Sequence, residues 1–195
     1  MIDNYIDWLE SKNIVLNNDQ KDNLNRYTNL VNYWNKKVNI TAAKDLKEIV
    51  ERHILDSLMP LIVGFDNEKS VIDLGSGGGF PAIPLAIILK ETKFLLVEKV
   101  TKKCAFLKRV KRELNLKNIE VENSLFEEID YTVPQTMITR AVKIDKKIET
   151  YCKEKGIKKL YSFHSTKPVG VDLYAEYILP GENKVRYIAR RELHG

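Results

Sequence analysis

The sequence has little of what builds a membrane, secreted or metal-binding protein. No apolar run in its 195 residues approaches the roughly 20 that span a bilayer. The start, Met1-Ile2-Asp3-Asn4-Tyr5, has neither the basic nor the apolar region of a signal peptide, so a cytoplasmic protein without a membrane partner is expected. Cysteine is confined to Cys104 and Cys152, with no CxxC pair, and there are only three histidines. That excludes a disulfide framework and argues against a metal cluster, and both thiols are expected to be reduced and structural. Proline is sparse, and no repeat, low-complexity tract or flexible linker interrupts the chain. With 44% apolar and 30% charged residues the chain is globular rather than disordered. Its length suits one compact unit, expected to be a monomer.

The net charge is +5, and it is unevenly placed. The stretch 99–115 holds Lys99, Lys102, Lys103, Lys108, Arg109, Lys111 and Arg112 against the single acid Glu113, more than the whole excess. Such a concentration suits a phosphate-rich partner better than a uniform basic drift would, and Lys102, Lys103, Arg109 and Arg112 are the candidate phosphate contacts.

Residues 1–64 read as helical. Ile6 and Leu9 mark a short amphipathic piece, and Leu24, Tyr27, Leu30, Val31 and Trp34 recur at helical spacing, with Asn17, Asn18 or Asp19 as the cap. Tyr27, Tyr33 and Trp34 are placed in packing roles ahead of base stacking. A non-helical join at Val38 to Ala43 precedes a third apolar stripe, Leu46 to Leu61, which contains Glu51-Arg52-His53-Ile54-Leu55-Asp56-Ser57. His53 and Asp56 are three apart and share a helix face; a hydrogen bond between them is the plainest account.

From Lys69 the pattern alternates. Strands are expected at Ser70 to Leu74, Phe94 to Glu98, Ile119 to Val121, Thr136 to Thr139 and Lys159 to Phe163, with helices at Pro81 to Leu89, Thr101 to Leu114 and Ile144 to Lys155. Tyr174 to Leu179 and Val185 to Ala189 read as a hairpin around Pro180-Gly181-Glu182-Asn183. The expectation is an α/β fold: a mostly parallel, seven-stranded sheet over 65–195, an antiparallel C-terminal hairpin at one edge, and a helical extension over 1–64.

Four of the nine glycines fall in Val71-Ile72-Asp73-Leu74-Gly75-Ser76-Gly77-Gly78-Gly79-Phe80-Pro81. A buried strand here meets a sharp turn and the amino end of an apolar helix, where free N–H groups receive a polar or anionic ligand. In a doubly wound sheet that turn faces the ligand. A dinucleotide fingerprint needs a glycine or alanine where Phe80 stands, and no Gly-Lys-Ser/Thr follows for a nucleoside triphosphate. Glu98, nineteen residues beyond Gly79, can accept both ribose hydroxyls of an adenosine lacking a pyrophosphate. S-adenosylmethionine meets that description; a dinucleotide and a purely structural turn stay open on these residues alone.

Taken together, several stretches resemble the small-subunit (16S) ribosomal RNA guanine-N(7) methyltransferases, also called glucose-inhibited division protein B. They are Asn39-Ile40-Thr41, Arg52-His53-Ile54-Leu55-Asp56-Ser57-Leu58, Asp73 to Ala86, Glu98, Lys102-Lys103, Phe106-Leu107 and Thr139-Arg140-Ala141. The resemblance implies a Rossmann-like class I fold using S-adenosyl-L-methionine and releasing S-adenosyl-L-homocysteine. It implies a cofactor site of Asp73, Gly75, Gly77, Gly79, Phe80 and Glu98, with Phe126 and Glu127 flanking the adenine and Arg140 beside the cofactor near the substrate opening. Arg140, His53 and Asp56 are the implied catalytic group, and small-subunit ribosomal RNA, free or in a particle, is the implied partner.

Two positions and one segment depart from the family pattern: Ala82 replaces a glycine, Leu125 a basic residue, and Phe163-His164-Ser165-Thr166-Lys167-Pro168 a Leu-Lys-Gly-like strand end. A class I methyltransferase with a small-molecule or protein substrate, or a silent adenosine-sensing or RNA-binding protein, are the competing readings. Methylation of a ring nitrogen that carries no proton needs no general base, which agrees with a sequence that offers no nucleophile, metal cluster or triad.

Overall fold

The computed structural model describes residues 1–129, 133–140, 142 and 144–193. Ala141, the last residue of the Thr139-Arg140-Ala141 stretch, lies outside them.

The amino-terminal part is helical, as its periodicity predicts. After α1 (Ile6–Glu10) comes α2 (Asn18–Val38). Asn17 caps α2: its side chain accepts from Gln20 N at 2.9 Å while the Gln20 side chain accepts from Asn17 N, a reciprocal pair that satisfies two otherwise free donors. Helix α2 ends at Asn39, whose left-handed backbone (φ 48°) an asparagine tolerates. The next helical run starts as α3 (Leu46–Ile49), capped by Asp45, widens into a π turn over Val50–Leu55, and returns through α4 (Asp56–Leu58) to a 3₁₀ segment, Met59–Val63.

The rest is a seven-stranded sheet. In chain order it comprises β1 (Ser70–Leu74), α5 (Ala82–Ile88), β2 (Lys93–Val97), α6 (Thr101–Glu113), β3 (Ile119–Glu122), β4 (Thr136–Thr139), α7 (Lys146–Glu154), β5 (Lys159–His164), β6 (Leu173–Ile178) and β7 (Val185–Glu192). The strands lie in the order β3-β2-β1-β4-β5-β7-β6; β3 to β5 pair in parallel with their neighbours through β1, and β7 is antiparallel to both β5 and β6. The hairpin folds back so that its second strand, not its first, joins the sheet. The order reverses between β1 and β4, which leaves a crevice at their carboxyl ends.

Alternation along β1 sends successive residues to opposite faces. Val71 enters a core shared with Leu24, Tyr27 and Val31 of α2 and with Ile54 and Leu55 of the π turn, while Ile72 and Leu74 join Phe126, Met137, Cys152 and Leu160 on the other face. The 1–64 helices are therefore built onto one face of the sheet. Cys104 and Cys152 are buried free thiols. At the amino ends of the strands, buried Glu68 accepts from Thr136 Oγ1 (2.6 Å), Lys159 Nζ (2.9 Å) and the Tyr161 hydroxyl (3.0 Å), a polar knot that ties β1, β4 and β5 at the end remote from the crevice.

Candidate active site

The glycine loop sits at the crevice, and its shape requires glycine. Gly75, Gly77 and Gly79 have φ of 70°, 57° and 90°, the left-handed region that side chains disfavour. At Gly78 the constraint is space: an added Cβ would stand 2.4 Å from Ile40 Cγ2. Gly77 differs, since a Cβ there would meet only the Gly75 carbonyl, at 3.8 Å. The loop is held from outside by Tyr27, fully buried on α2, whose hydroxyl donates to the Gly78 carbonyl at 2.5 Å.

The amino end of α5 offers less than the sequence suggests. The helix has seven residues, Pro81 and Pro84 have no N–H, and the Ile83 N–H is taken by the Gly79 carbonyl at 2.7 Å. Polar ligand groups must therefore be met mainly by the loop and its neighbours. Chief among these is Glu98, just past the end of β2: Oε2 accepts from Gly77 N at 2.9 Å and Oε1 from Val100 N at 2.8 Å. These two bonds fix the carboxylate against the loop, and each oxygen keeps a second lone pair for a ligand hydroxyl.

Asp73, the penultimate residue of β1, is fully buried, and neither carboxylate oxygen has a hydrogen-bond partner. Burial pushes its carboxyl up to about 7. An orphaned buried acid beside a left-handed glycine loop is an acceptor awaiting a donor.

Arg140, one residue past β4, closes the site from the other side of the crevice. Nη2 donates to His53 Nδ1 at 3.0 Å, Nη1 faces Asp56 Oδ2 at 3.4 Å, and the guanidinium lies 5.2 Å from the centre of the Phe80 ring. His53 and Asp56 are thus brought together, but not by a bond to each other. The fork of Arg140 supplies a charged donor to each, which outcompetes a bond between them. Because Nδ1 accepts from Arg140, the His53 proton is on Nε2, facing Thr41 Oγ1 at 2.5 Å. Burial, reinforced by Arg140, Arg52 and Arg186, depresses His53 to about 3, so the ring is neutral. Burial raises Asp56, while Arg140, the Tyr177 hydroxyl (2.7 Å from Oδ1) and Arg186 pull it back.

Beside Arg140 a cleft of about 450 Å³ opens between the π turn, the end of β5 and the hairpin; Arg52, Lys184 and Arg186 give it a basic lining, and Phe163 and His164 form part of its wall. The larger hollow, near Ser70 and Lys93, lies at the opposite ends of β1 and β2.

The remaining candidates are more dispersed. Phe126 is buried against Tyr151 (ring centres 4.5 Å apart) in the same cluster as Leu74 and Val97, and Glu127 pairs with Lys147 at 3.0 Å. On α6, Lys102, Arg109 and Arg112 are exposed and Lys103 is half-buried. Arg109 is paired with Glu113 at 2.5 Å, whereas among the described residues Lys102, Lys103 and Arg112 have no ion-pair partner. Lys102 and Lys103 sit in the first turn after Glu98; Arg112 is about 15 Å further along the helix. Tyr177 has no local signal in the sequence, Arg186 is visible there only as one of the C-terminal basic residues Lys184, Arg186, Arg190 and Arg191, and Thr41 only as part of the Asn39-Ile40-Thr41 stretch.

The sequence model of the family described as rRNA small subunit methyltransferase G matches residues 20–165. Over 134 residues the chain is 39% identical to the ribosomal RNA small subunit methyltransferase G of Shigella flexneri, covering 68% of this chain and 64% of that one. It is 37% identical over 142 residues to the protein of that name from Escherichia coli, covering 72% and 68%. The chain thus spans about two thirds of the length of these curated relatives. Among solved structures, magnesium protoporphyrin IX methyltransferase from Synechocystis, with bound S-adenosylmethionine, superposes with a TM-score of 0.59 at 13% identity, over 86% of this chain and 97% of that one. The Pyrococcus abyssi tRNA (uracil-54, C5)-methyltransferase superposes at 0.54 and 13% identity, over 70% and 37%. These likenesses establish the fold, a class I methyltransferase fold. With a switch-point glycine loop, its acid at Glu98 and the family match over most of its length, the chain belongs to the rRNA small subunit methyltransferase G family.

Proposed function

We propose that the chain transfers a methyl group from S-adenosyl-L-methionine to N(7) of a guanine in small-subunit ribosomal RNA. The observation that carries this reading is the juxtaposition, across the Phe80 ring, of a glycine loop suited to a nucleoside and a cationic cleft suited to a nucleotide.

The residues present fit the cofactor. Asp73 is an orphaned acceptor, the side of Gly77 is open, and Glu98 retains lone pairs beside the loop. Gly75, Gly77, Gly79 and Phe80 would hold it by their backbone, Glu98 by the ribose, and Phe126 and Glu127 would flank the adenine. When bound, it supplies an electrophilic methyl group on a sulfonium sulfur.

The protein's own work is alignment. Guanine N(7) attacks with a lone pair that carries no proton, so the neutral His53 has no proton to remove; its role is to hold Arg140. A guanine methylated at N(7) would carry positive charge next to Arg140. The pairing of Arg140 with Asp56 offsets a cation that would otherwise oppose methyl transfer. Arg52, Lys184 and Arg186 around the cleft, with Lys102, Lys103, Arg109 and Arg112 on α6, would bind the RNA backbone, which positions a strand without reading its bases. The chain is expected to act as a monomer. No described helix is long and apolar enough to cross a membrane.

The test is incubation with methyl-labelled cofactor and naked small-subunit RNA, assembled small subunits, or a cell extract. Label recovered as N(7)-methylguanine in the small-subunit RNA supports the reading. Label only in small molecules or protein, or none, overturns it, and the first two arms separate free RNA from a particle as substrate.

A further inference from the structure

The part of the chain beyond residue 165 lies outside the family match, yet it reaches into the centre of the site. Tyr177 on β6 is buried, and its hydroxyl donates to Asp56 Oδ1 at 2.7 Å. The other oxygen, Oδ2, faces Arg140 Nη1 at 3.4 Å. A competing cation is close: Arg186 Nη1 stands 3.7 Å from Oδ1, although its guanidinium is already bound twice by Glu182, at 3.0 Å each. Asp56 is therefore a buried carboxylate between two arginines, and the short bond from Tyr177 decides which way it faces. With Oδ1 anchored by the phenol, Oδ2 is turned to Arg140. Without that anchor the carboxylate is free to swing to Arg186 and release Arg140 from one of the two partners that hold it over Phe80.

We propose that Tyr177 is a positioning residue: through Asp56 it holds the Arg140 guanidinium across the Phe80 ring, so that the C-terminal hairpin completes the site. The role rests on the methyltransferase reading for its effect on rate, but not for its effect on Arg140. It also gives the inward-folded hairpin a function. Because β7 pairs with β5 and β6 lies outside it, a tyrosine at this point of β6 reaches Asp56 across 121 residues of sequence.

The test is Tyr177→Phe, which removes only the hydroxyl. Tyr161→Phe is the matched control: it deletes another phenol that donates to a buried carboxylate, Glu68, at the far end of the strands. Two readouts are taken. One is single-turnover methyl transfer to small-subunit RNA with both substrates saturating, alongside cofactor affinity by calorimetry. The other is the side-chain NMR signal of the Arg140 guanidinium, which needs no activity. Tyr177→Phe is expected to lower the single-turnover rate about tenfold, to leave cofactor affinity unchanged, and to shift or broaden the Arg140 signals. Asp56→Asn is expected to do the same, with no further loss in the double variant. Tyr161→Phe should cost stability while leaving rate and Arg140 signals as in the wild type. Unchanged Arg140 signals in Tyr177→Phe, or the same response in both tyrosine variants, would overturn the proposal. If the wild type transfers no methyl group to RNA, the reading of function fails, and the Arg140 signals still decide the positioning role.

Discussion

The imidazole of His53 lies nearly flat on the phenyl ring of Phe80, with centroids 4.8 Å apart and planes 24° from parallel. His53 belongs to the π turn and Phe80 to the glycine loop, so this stack joins the helical extension to the glycine-loop side of the crevice. Arg140 approaches both, donating to His53 and lying over Phe80. The two halves of the site are coupled through these three side chains.

Arg140→Ala removes the donor from His53 Nδ1 and the facing cation from the buried Asp56 carboxylate. Stripping one partner from a buried pair costs about 3–5 kcal/mol, so a clear fall in urea stability is expected. Methyl transfer should fall about a hundredfold or more, measured in single-turnover reactions at a temperature where the variant is folded. Unchanged transfer would remove Arg140 from the site.

Gly77 and Gly78 should separate binding from folding. A Cβ at Gly78 collides with Ile40, and Gly78→Ala is expected to cost about 1–3 kcal/mol of stability. Gly77→Ala bears only the left-handed backbone penalty of about 1–2 kcal/mol, yet it fills the side of the loop left open for the cofactor. Calorimetry should show that Gly77→Ala loses far more affinity for S-adenosylmethionine than its modest change in stability explains.

Glu98→Gln keeps the shape of the side chain but replaces one acceptor with a donor and removes the charge. The bonds from Gly77 N and Val100 N are charge-assisted in the wild type, as the bonds from ribose hydroxyls would be. Cofactor affinity is expected to fall about tenfold. Binding of RNA without cofactor, measured by filter retention, should not change.

Lys102 and Lys103, free of ion pairs among the described residues, are the α6 cations nearest Glu98. If each neutralises a phosphate, Lys102→Gln and Lys103→Gln should each reduce the slope of log binding constant against log salt by about one. A double variant with the wild-type slope would show that α6 is only a solvated face.

Stability against pH carries two opposing contributions. His53 is depressed from its ordinary 6.5 to about 3. Between those values the unfolded chain binds a proton that the folded one refuses, so its contribution to stability falls as pH drops below 6.5. Asp73 is raised from 3.8 to about 7; here the folded chain binds the extra proton, and the contribution is lost as pH rises from 3.8 through 7. Each slope has a limit of about 1.4 kcal/mol per pH unit, and from about 4 to 6.5 they oppose. Urea titrations should therefore show Asp73→Asn gaining stability relative to wild type as pH rises through this window, and His53→Asn losing it.

Much of the fold was legible because its signals are local. Ser70 to Leu74 and Thr136 to Thr139 are short apolar or β-branched runs that must be buried on both faces, and the structure has strands at just those residues. Asn17 was readable as a cap because capping depends on groups three residues apart. The π turn was not: its residues carry the same apolar stripe as a regular helix, and only packing against the loop and the hairpin selects the widened turn. The receptive helix end expected after the glycine loop is reduced for a local reason: Pro81 at the N-cap and Pro84 in the first turn have no N–H, and the Gly79 carbonyl takes that of Ile83.

By itself the sequence determined the left-handed glycine loop, the acid that follows the second strand, the alternation that makes a parallel sheet and the basic face of α6. Each depends on neighbours within a few residues, where backbone sterics and side-chain spacing decide the outcome. Only the tertiary structure decided what Arg140 touches. Its partners His53 and Asp56 lie 87 and 84 residues away, and Tyr177 lies 121 from Asp56; no spacing rule spans such distances. Strand order and the inward turn of the hairpin bring them together, and burial then turns ordinary polar side chains into a neutral histidine, a clamped carboxylate and a fixed guanidinium.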